Sequence, residues 1–501
     1  MLFCKNVAVF LIFILFLYLC RFYIFFIYKK RRFLKFAYNE KGFFLPILPQ
    51  IGTMYVAIFT GTQINPLSIM DWMYKKIGLP CSLWVGTDYY YISMDADEIK
   101  TILNHSEGYG KADFYNKFRV FFKDTLLTVP YDQWKVRRRH FTKSFKPNML
   151  KMYFPTFLEQ SRQLIKEIEV QNNNECIFER FSKYTYTNFF LTHAGLDETS
   201  KFKDMNRLGV LLGSIQSEFG RIILDPLMTV RLYFKCLPKG KNIFEKLKEA
   251  NTFIMGVIER KKKQMKEVKG YIENNKEVCL LDLVLNFQNN MFTQKQVYEE
   301  FGLFQGAATE TTASSLAFTC ILLGMYPEIQ EKLYQEVRNA LGDCDLTMEA
   351  VESLPYMEAV IFESLRLLPV IPLLGRKCSA DIDLGGKILP KDSNFLIDIY
   401  HLHRNPKYWK NPLKFDPTRF LPENVKNIYP YSFIPFSNGP RDCIGKRQAL
   451  ILMKTTIANI LRNFRIISNH KSILEFQLRS CVSIIVANKL HYEFIPRNRQ
   501  N

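Results

Sequence analysis

Phe436-Ser437-Asn438-Gly439-Pro440-Arg441-Asp442-Cys443-Ile444-Gly445 is the stretch on which the reading of this chain turns. It is a tight loop built to hold one cysteine. Gly439 and Gly445 open backbone turns closed to other residues, and Gly445 lets backbone approach whatever sits at Cys443. Pro440 stiffens the turn, and Phe436 is an apolar wedge against water. Arg441 sets a fixed positive charge two residues before the sulfur. That charge and nearby backbone N–H groups are expected to favour thiolate over thiol. A shielded thiolate of this kind suits an iron centre, pushing electron density onto the metal and favouring O–O cleavage.

The loop resembles the haem-binding signature FxxGxRxCxG of the cytochrome P450 superfamily, the haem-thiolate monooxygenases, with all five fixed positions in place. The resemblance implies haem b, held non-covalently, with iron ligated axially by Cys443 and with Arg441 beside the cofactor. Just beyond the loop, Lys446 and Arg447 open a helix whose N-terminus favours a nearby anion such as the thiolate.

Working toward the N-terminus, Phe415-Asp416-Pro417-Thr418-Arg419-Phe420 resembles the family's PxRF stretch, and Glu363-Ser364-Leu365-Arg366 its ExxR. ExxR alone carries little, since Glu218-Phe219-Gly220-Arg221 has the same pattern; position ahead of the PxRF stretch singles out the first. The resemblance implies a buried structural cluster of Glu363, Arg366 and Arg419 supporting the haem loop. Between these segments the apolar run before Gly375 is expected to be cavity-lining strand, with Arg376 reaching a haem propionate. Asp383-Leu384-Gly385-Gly386 reads as a hairpin turn. Arg479 to Ser483 reads as a polar turn, which in the family tips the cavity roof.

Thr293-Gln294-Lys295-Gln296 fits a capping box. Pro327 suits the first turn of a following helix, so the spacing predicts one long apolar helix from Thr293 to about Met325. At its centre lies Gly306-Ala307-Ala308-Thr309-Glu310-Thr311-Thr312. Small residues there let a flat cofactor and O2 lie against the helix, and Glu310-Thr311 form an acid–alcohol pair suited to proton relay. This looks like the family's (A/G)Gx(D/E)T(T/S) oxygen-activation motif, departing from it at Ala308, where Gly is usual and an added methyl narrows the groove.

Trp134 and Arg138 stand four apart, on one helix face, where an indole N–H and a guanidinium can bind carboxylates. They are similar to the family's WxxxR, which holds haem propionates. Arg137, Arg139 and Lys143 point elsewhere and are expected to form a docking patch for an acidic electron donor. Trp84-Val85-Gly86 and Tyr89 to Ile92 read as strands around a turn. Residues 150–290 are helical in pattern and poor in motifs; Arg260 to Lys269 reads as a solvated cationic helix end.

From Val7 to Tyr28 the chain is almost wholly apolar, interrupted by Arg21. About 20 such residues span a bilayer. Lys29-Lys30-Arg31-Arg32 and Lys35 follow, against Lys5 alone before, so the positive-inside rule places the main body in the cytoplasm. No small-residue cleavage site follows the apolar run. Residues 1–35 are expected to be a membrane anchor with its basic flank, and residues 36–501 the catalytic domain, joined by a stiff connector at Pro46, Pro49 and Gly52. The 11 Cys show no CxxC pair or regular spacing, which argues against a disulfide framework or zinc site. A net charge of +20 without a nucleic-acid motif points to an anionic membrane or acidic protein partner.

Taken with the resemblance, the expected fold is mainly α with small β-sheets, the haem lying between the long central helix and the cysteine loop, plus an N-terminal transmembrane helix. The implied activity is hydroxylation of lipophilic substrates, of fatty-acid, isoprenoid, steroid or xenobiotic type. O2 and electrons from NADPH would be used, delivered by an NADPH–cytochrome reductase with cytochrome b5 as an optional second donor. The implied location is the endoplasmic reticulum membrane, on the cytoplasmic side. Gly375-Arg376, Tyr400 to Pro406 and Tyr431 to Gly445 look most like the fatty-acid omega-hydroxylase branch. That branch often carries a Glu that esterifies the haem, where this chain has Ala307. Two alternatives stay open: a haem-thiolate isomerase or dehydratase needing no external electrons, which Glu310-Thr311 argue against, and a membrane-tethered haem sensor.

Overall fold

The computed structural model describes residues 2–40, 65–171, 175–196, 211, 215, 238–267, 279–288, 292–342, 344–480 and 482–497. The connector at Pro46 to Gly52 and the second ExxR-like segment at Glu218 lie outside them. Helix α1 (Leu2–Asn39) is continuous for 38 residues, about 57 Å at the α-helical rise. It is long and apolar enough to cross a membrane. Residues 9–18 are exposed, whereas Phe26, Phe36 and Ala37 are buried. The helix therefore does not end with the basic flank; its second half packs on the catalytic body.

That contact is made on a four-stranded sheet, entered through α2 (Pro66–Lys76), which is capped by the Asn65 side chain. Strands β1 (Cys81–Val85) and β2 (Asp88–Ser93) form the hairpin read from sequence, pairing Trp84 with Tyr89 around Gly86 at φ +62°. Phe26 meets Trp84 edge-on at 4.9 Å, Phe33 lies 5.2 Å from Tyr89, and Phe36 meets Tyr91 at 5.3 Å. Arg32 pairs with Asp381, and Lys387 meets Glu40 at 3.2 Å, both beside a separate two-stranded hairpin.

The helical body follows: α3 (Ala96–Asn104), α4 (Tyr115–Phe122), α5 (Tyr131–Phe141), α6 (Pro147–Gln171), α7 (Ile177–His193), α8 (Pro238–Glu267) and α9 (Leu280–Gln288). The cationic run in α8 is not wholly solvated, because Lys261 is buried against Asp282 at 3.2 Å. Helix α10 (Gln294–Met325) is the central element. Thr293 caps it with both bonds of the capping box, and Pro327 opens α11 (Pro327–Leu341). From Thr312 to Gly324 every residue of α10 is buried, packed by α7 and by the later helices Pro355–Leu367 and Lys446–Asn463 in one large apolar cluster.

Then come α12 (Met348–Glu352), α13 (Pro355–Leu367) and β3 (Leu373–Lys377). The β4–β5 hairpin (Ile382–Asp383, Ile388–Leu389) turns at Gly385 and Gly386, followed by β6 (Asn394–Asp398) and the short α14 (Ile399–Leu402). Strand β6 pairs parallel with β2 and antiparallel with β3, giving the sheet order β1-β2-β6-β3. The cysteine loop leads into α15 (Lys446–Asn463). Strand β7 (Phe464–Ile467) pairs with β10 (Glu493–Pro496), and β8 (Leu478–Ser480) pairs with β9 (Ile484–Val486) across the expected polar turn.

Candidate active site

The loop is wound by its own backbone. Ser437 N–H donates to Ile434 O at 2.9 Å, Asp442 N–H to Gly439 O at 3.1 Å, and Cys443 N–H to Phe436 O at 2.9 Å. Gly439 sits at φ +74°, and a Cβ there would stand 2.3 Å from Leu103 O. No other residue fits that contact with α3. Gly445 is the N-cap of α15, and its N–H is hydrogen-bonded to the Cys443 sulfur.

Cys443 is exposed, as is Ala307 in the middle of α10, yet burial still pushes the Cys443 thiol up. Both observations hold if the two residues front a hollow inside the protein. Loop and helix are neighbours: Ile444 and Ala308 pack against one apolar cluster. Phe145 lies 6.0 Å from Phe304 of α10 and 3.8 Å from the position of a Gly445 Cβ.

The cation that opposes the upward shift is not the one expected. After the Gly445 N–H, it is Arg138 that favours the thiolate. Arg138 donates to Asp442 O at 2.8 Å and to Asp442 Oδ1 at 2.7 Å, tying α5 to the loop. Arg441 turns the other way. It donates to Val129 O at 3.2 Å and lies 4.8 Å over the Trp134 ring.

Arg441 belongs instead to a group of cations. Its Nε and Nη1 are buried without partners. Arg376, on β3 and 1% exposed, reaches Ser437 Oγ at 3.4 Å and Gly375 O at 3.2 Å. A Cβ on Gly375 would stand 2.6 Å from the Ala112 Cβ, so only glycine lets the segment before α4 approach β3. Lys111, in that segment, has its pKa pulled well below the ordinary lysine range by burial, then by Arg376 and Arg441. Among the described residues, no carboxylate pairs with these three cations. Buried like charges of this kind call for an anion, and the two propionates of haem fit that demand. The sequence offered no periodic signal for Lys111, because its neighbours in space are far away in the chain.

On α10, Thr311 is half-buried, and its hydroxyl donates to Ala307 O at 2.8 Å. That leaves its lone pairs as acceptors. The Glu310 carboxyl lies by α7, where Ser182 favours its charged form. Its Oε2 is buried without a partner, and burial raises its pKa to about 7. Acid and alcohol thus stand about 100° apart round the helix axis, facing different neighbours.

Behind the loop, Glu363 and Arg366 are both fully buried. Arg366 donates to Glu363 Oε2 and Oε1 at 2.7 and 2.8 Å. It also donates to the carbonyls of His403, Pro412 and Lys414, so all five N–H groups are used. Arg419 stands 3.5 Å from Glu363 Oε1, and the Asp416 N–H donates to the same oxygen at 2.9 Å. Arg137, by contrast, is no part of a docking patch. It is 7% exposed, pairs with Glu300 and donates to Asp124 O at 2.6 Å.

An exposed cysteine in a tight loop, cations for which no carboxylate partner is found among the described residues, and a hydroxyl-bearing helix fit a haem-thiolate oxygenase site. The family model described as Cytochrome P450 matches residues 46–493. The chain is 32% identical to Cytochrome P450 4V2 of Pongo abelii, over 78% of this chain and 77% of that one. It is 29% identical to Probable cytochrome P450 4ac1 of Drosophila melanogaster, over 74% of each. With Cytochrome P450 4c21 of Blattella germanica the identity is 28%, over 84% and 86%. The chain belongs to the cytochrome P450 family: it is a monooxygenase whose cofactor is haem iron.

Proposed function

We propose that the protein hydroxylates lipophilic small molecules of fatty-acid, isoprenoid, steroid or xenobiotic type, with electrons drawn from NADPH through a membrane-bound reductase. The observation that carries this reading is that Cys443 in the loop and Ala307 at the middle of α10 are both exposed on elements that pack together through Phe145 and Phe304. Bound haem supplies reductive cleavage of O2 and insertion of one oxygen atom into a C–H bond. From the loop, Cys443 would hold the iron. Lys111, Arg376 and Arg441 would neutralise the propionates, with Trp134 stacked behind Arg441 and Arg138 bracing the loop through Asp442. Thr311 accepts hydrogen bonds from the groove, and Glu310 is the acid that refills it with protons. Ala307 offers no carboxylate for an ester, which supports a non-covalently held haem.

Lys135 and Arg139 on α5 and Lys143 just beyond it are exposed, and so is Lys446 at the start of α15. With Arg137 excluded, these form the patch proposed for the acidic reductase. The basic run after the apolar half of α1 supports anchoring in the endoplasmic reticulum membrane with the body in the cytoplasm. The test is substrate-dependent NADPH consumption by protein plus reductase, across a lipid panel first screened by binding spectra. Haem spectra without any substrate-dependent consumption would overturn the reading.

A further inference from the structure

One carboxylate on α10 holds two separate pieces of the chain. Glu300, fully buried, pairs through Oε1 with Arg137 of α5, and its Oε2 accepts the Leu126 N–H at 3.0 Å. Leu126 belongs to residues 123–130, which join α4 to α5. That segment is wound on itself. Lys123 stands at φ +47°, and Thr128 Oγ1 donates to Lys123 O at 2.5 Å. The Thr128 and Val129 N–H groups donate to Thr125 O at 2.8 and 3.0 Å. Arg137 closes the segment from the α5 side by donating to Asp124 O at 2.6 Å. Leu126 and Val129 share one apolar cluster with Phe301 and Phe304 of α10.

Arg441 rests on the stretch between the two pinned points. Its Nη2 donates to Val129 O at 3.2 Å, and its guanidinium lies 4.8 Å over the Trp134 ring and 6.0 Å over the Tyr131 ring. Val129, Tyr131 and Trp134 all fall after Leu126 and before Arg137, so one carboxylate fixes both ends of the platform. We propose that Glu300 is a positioning residue for the cofactor: by pinning Leu126 and Arg137 to α10, it sets where Arg441 presents its unpartnered nitrogens. The inference rests on the functional reading above, which places Arg441 beside a propionate. The pin needs a charged carboxylate. Burial pushes the Glu300 pKa up to about 7, against the pull of the Leu126 N–H and Arg137. Among the described residues, Arg137 and Glu299 are the charged groups recorded around it, and Asp124 in the pinned segment is paired with Arg119.

The test follows haem loss from the full-length holoenzyme to an excess of haem-scavenging apomyoglobin, with the reduction potential as a second readout. Glu300→Gln should release haem about tenfold faster, the worth of one charge-assisted hydrogen bond. Its potential should fall, because a positive charge recedes from the cofactor. Acidification through about 7 should quicken haem loss in the parent as Glu300 loses its charge, whereas Glu300→Gln should stay flat over that range. Glu300→Gln leaves Arg137 buried without its counter-ion, so the second variant is the double change Glu300→Leu and Arg137→Met. It removes both charges and should recover thermal stability, but not slow haem loss. Haem loss and potential equal to the parent's in that stable double variant would reduce the pair to a fold contact and overturn the proposal. So would an unchanged rate in Glu300→Gln. Unchanged haem loss in Arg441→Gln would instead overturn the placement of Arg441 beside the cofactor, and with it the reading on which the proposal rests.

Discussion

In the function proposed, two side chains decide the chemistry, and each makes a separate prediction. Cys443 is held by the Gly445 N–H and faces the hollow. Cys443→Ala should abolish the thiolate spectrum of the reduced CO complex, and an unchanged spectrum would refute it as ligand. Thr311 opens on the groove, while Thr312 is 4% exposed and donates to Ala308 O at 2.9 Å. Thr311→Ala should keep haem content, CO binding and substrate binding, but divert reduced oxygen to hydrogen peroxide. The product rate should drop by about 10². Thr312→Ala should do far less; equal peroxide yields from the two would remove Thr311 from the mechanism. The cysteine loop was legible because every constraint on it is local, as Gly439 against Leu103 shows. The cations were legible only one by one. Arg376 and Arg441 stood in motifs, but nothing in the order of residues brings Lys111 beside them, and nothing local tells that Arg138 is committed to Asp442.

At the scale of elements, α10 was readable from end to end because its cap at Thr293 and its stop before Pro327 are written next to it. The face each Thr presents was not, since that depends on which helix lies opposite. A second element-level device is the clamp on α2. His401 Nδ1 meets Asp398 at 2.7 Å, its Nε2 stands 3.5 Å from Asp71 of α2, and its ring stacks on Tyr74 at 4.5 Å. Despite burial, the two carboxylates hold its pKa up at about 9. Lys75 on α2 and Arg404 beyond α14 are the other charges recorded around this pair. A pKa raised in the folded state stabilises fully below the ordinary value near 6.5 and is lost as pH climbs through about 9. Amide exchange in α2 should therefore quicken between pH 7 and 10, by roughly 1 to 3 kcal/mol of opening free energy. In His401→Gln that pH dependence should vanish. A parent α2 indifferent to pH over the same range would show that the clamp carries no stability.

For the whole molecule, the least legible feature was the docking of α1. Its apolar run reads as a membrane span, and the end of that run, Phe22 and Phe26, also serves a protein contact. The signal was present: Phe22, Phe26, Phe33 and Phe36 recur at spacings of 4, 7 and 3, one face of a helix, and all four pack against the Trp84–Tyr91 cluster. Deleting Met1–Arg32 should leave haem binding intact, since the apolar clusters around α10 hold no α1 residue. It should nevertheless lower thermal stability, because Trp84 loses its Phe26 cover. Phe26→Ala alone should cost about 3 kcal/mol in denaturant unfolding. A truncated protein as stable as the parent would show the contact to be idle.

That contact has a mechanical side. A body hung from a bilayer by a slack tether tumbles through every orientation, and a donor moving in the same plane must wait for the correct one. With the anchoring proposed above, a helix that leaves the bilayer and runs unbroken into an aromatic contact, pinned by Arg32 to Asp381 and by Glu40 to Lys387, would remove most of that rotational search. Encounters with a membrane-bound electron donor would then become a matter of lateral diffusion at a fixed height and heading. Loosening the pin would slow the arrival of electrons without touching a single group in the active site.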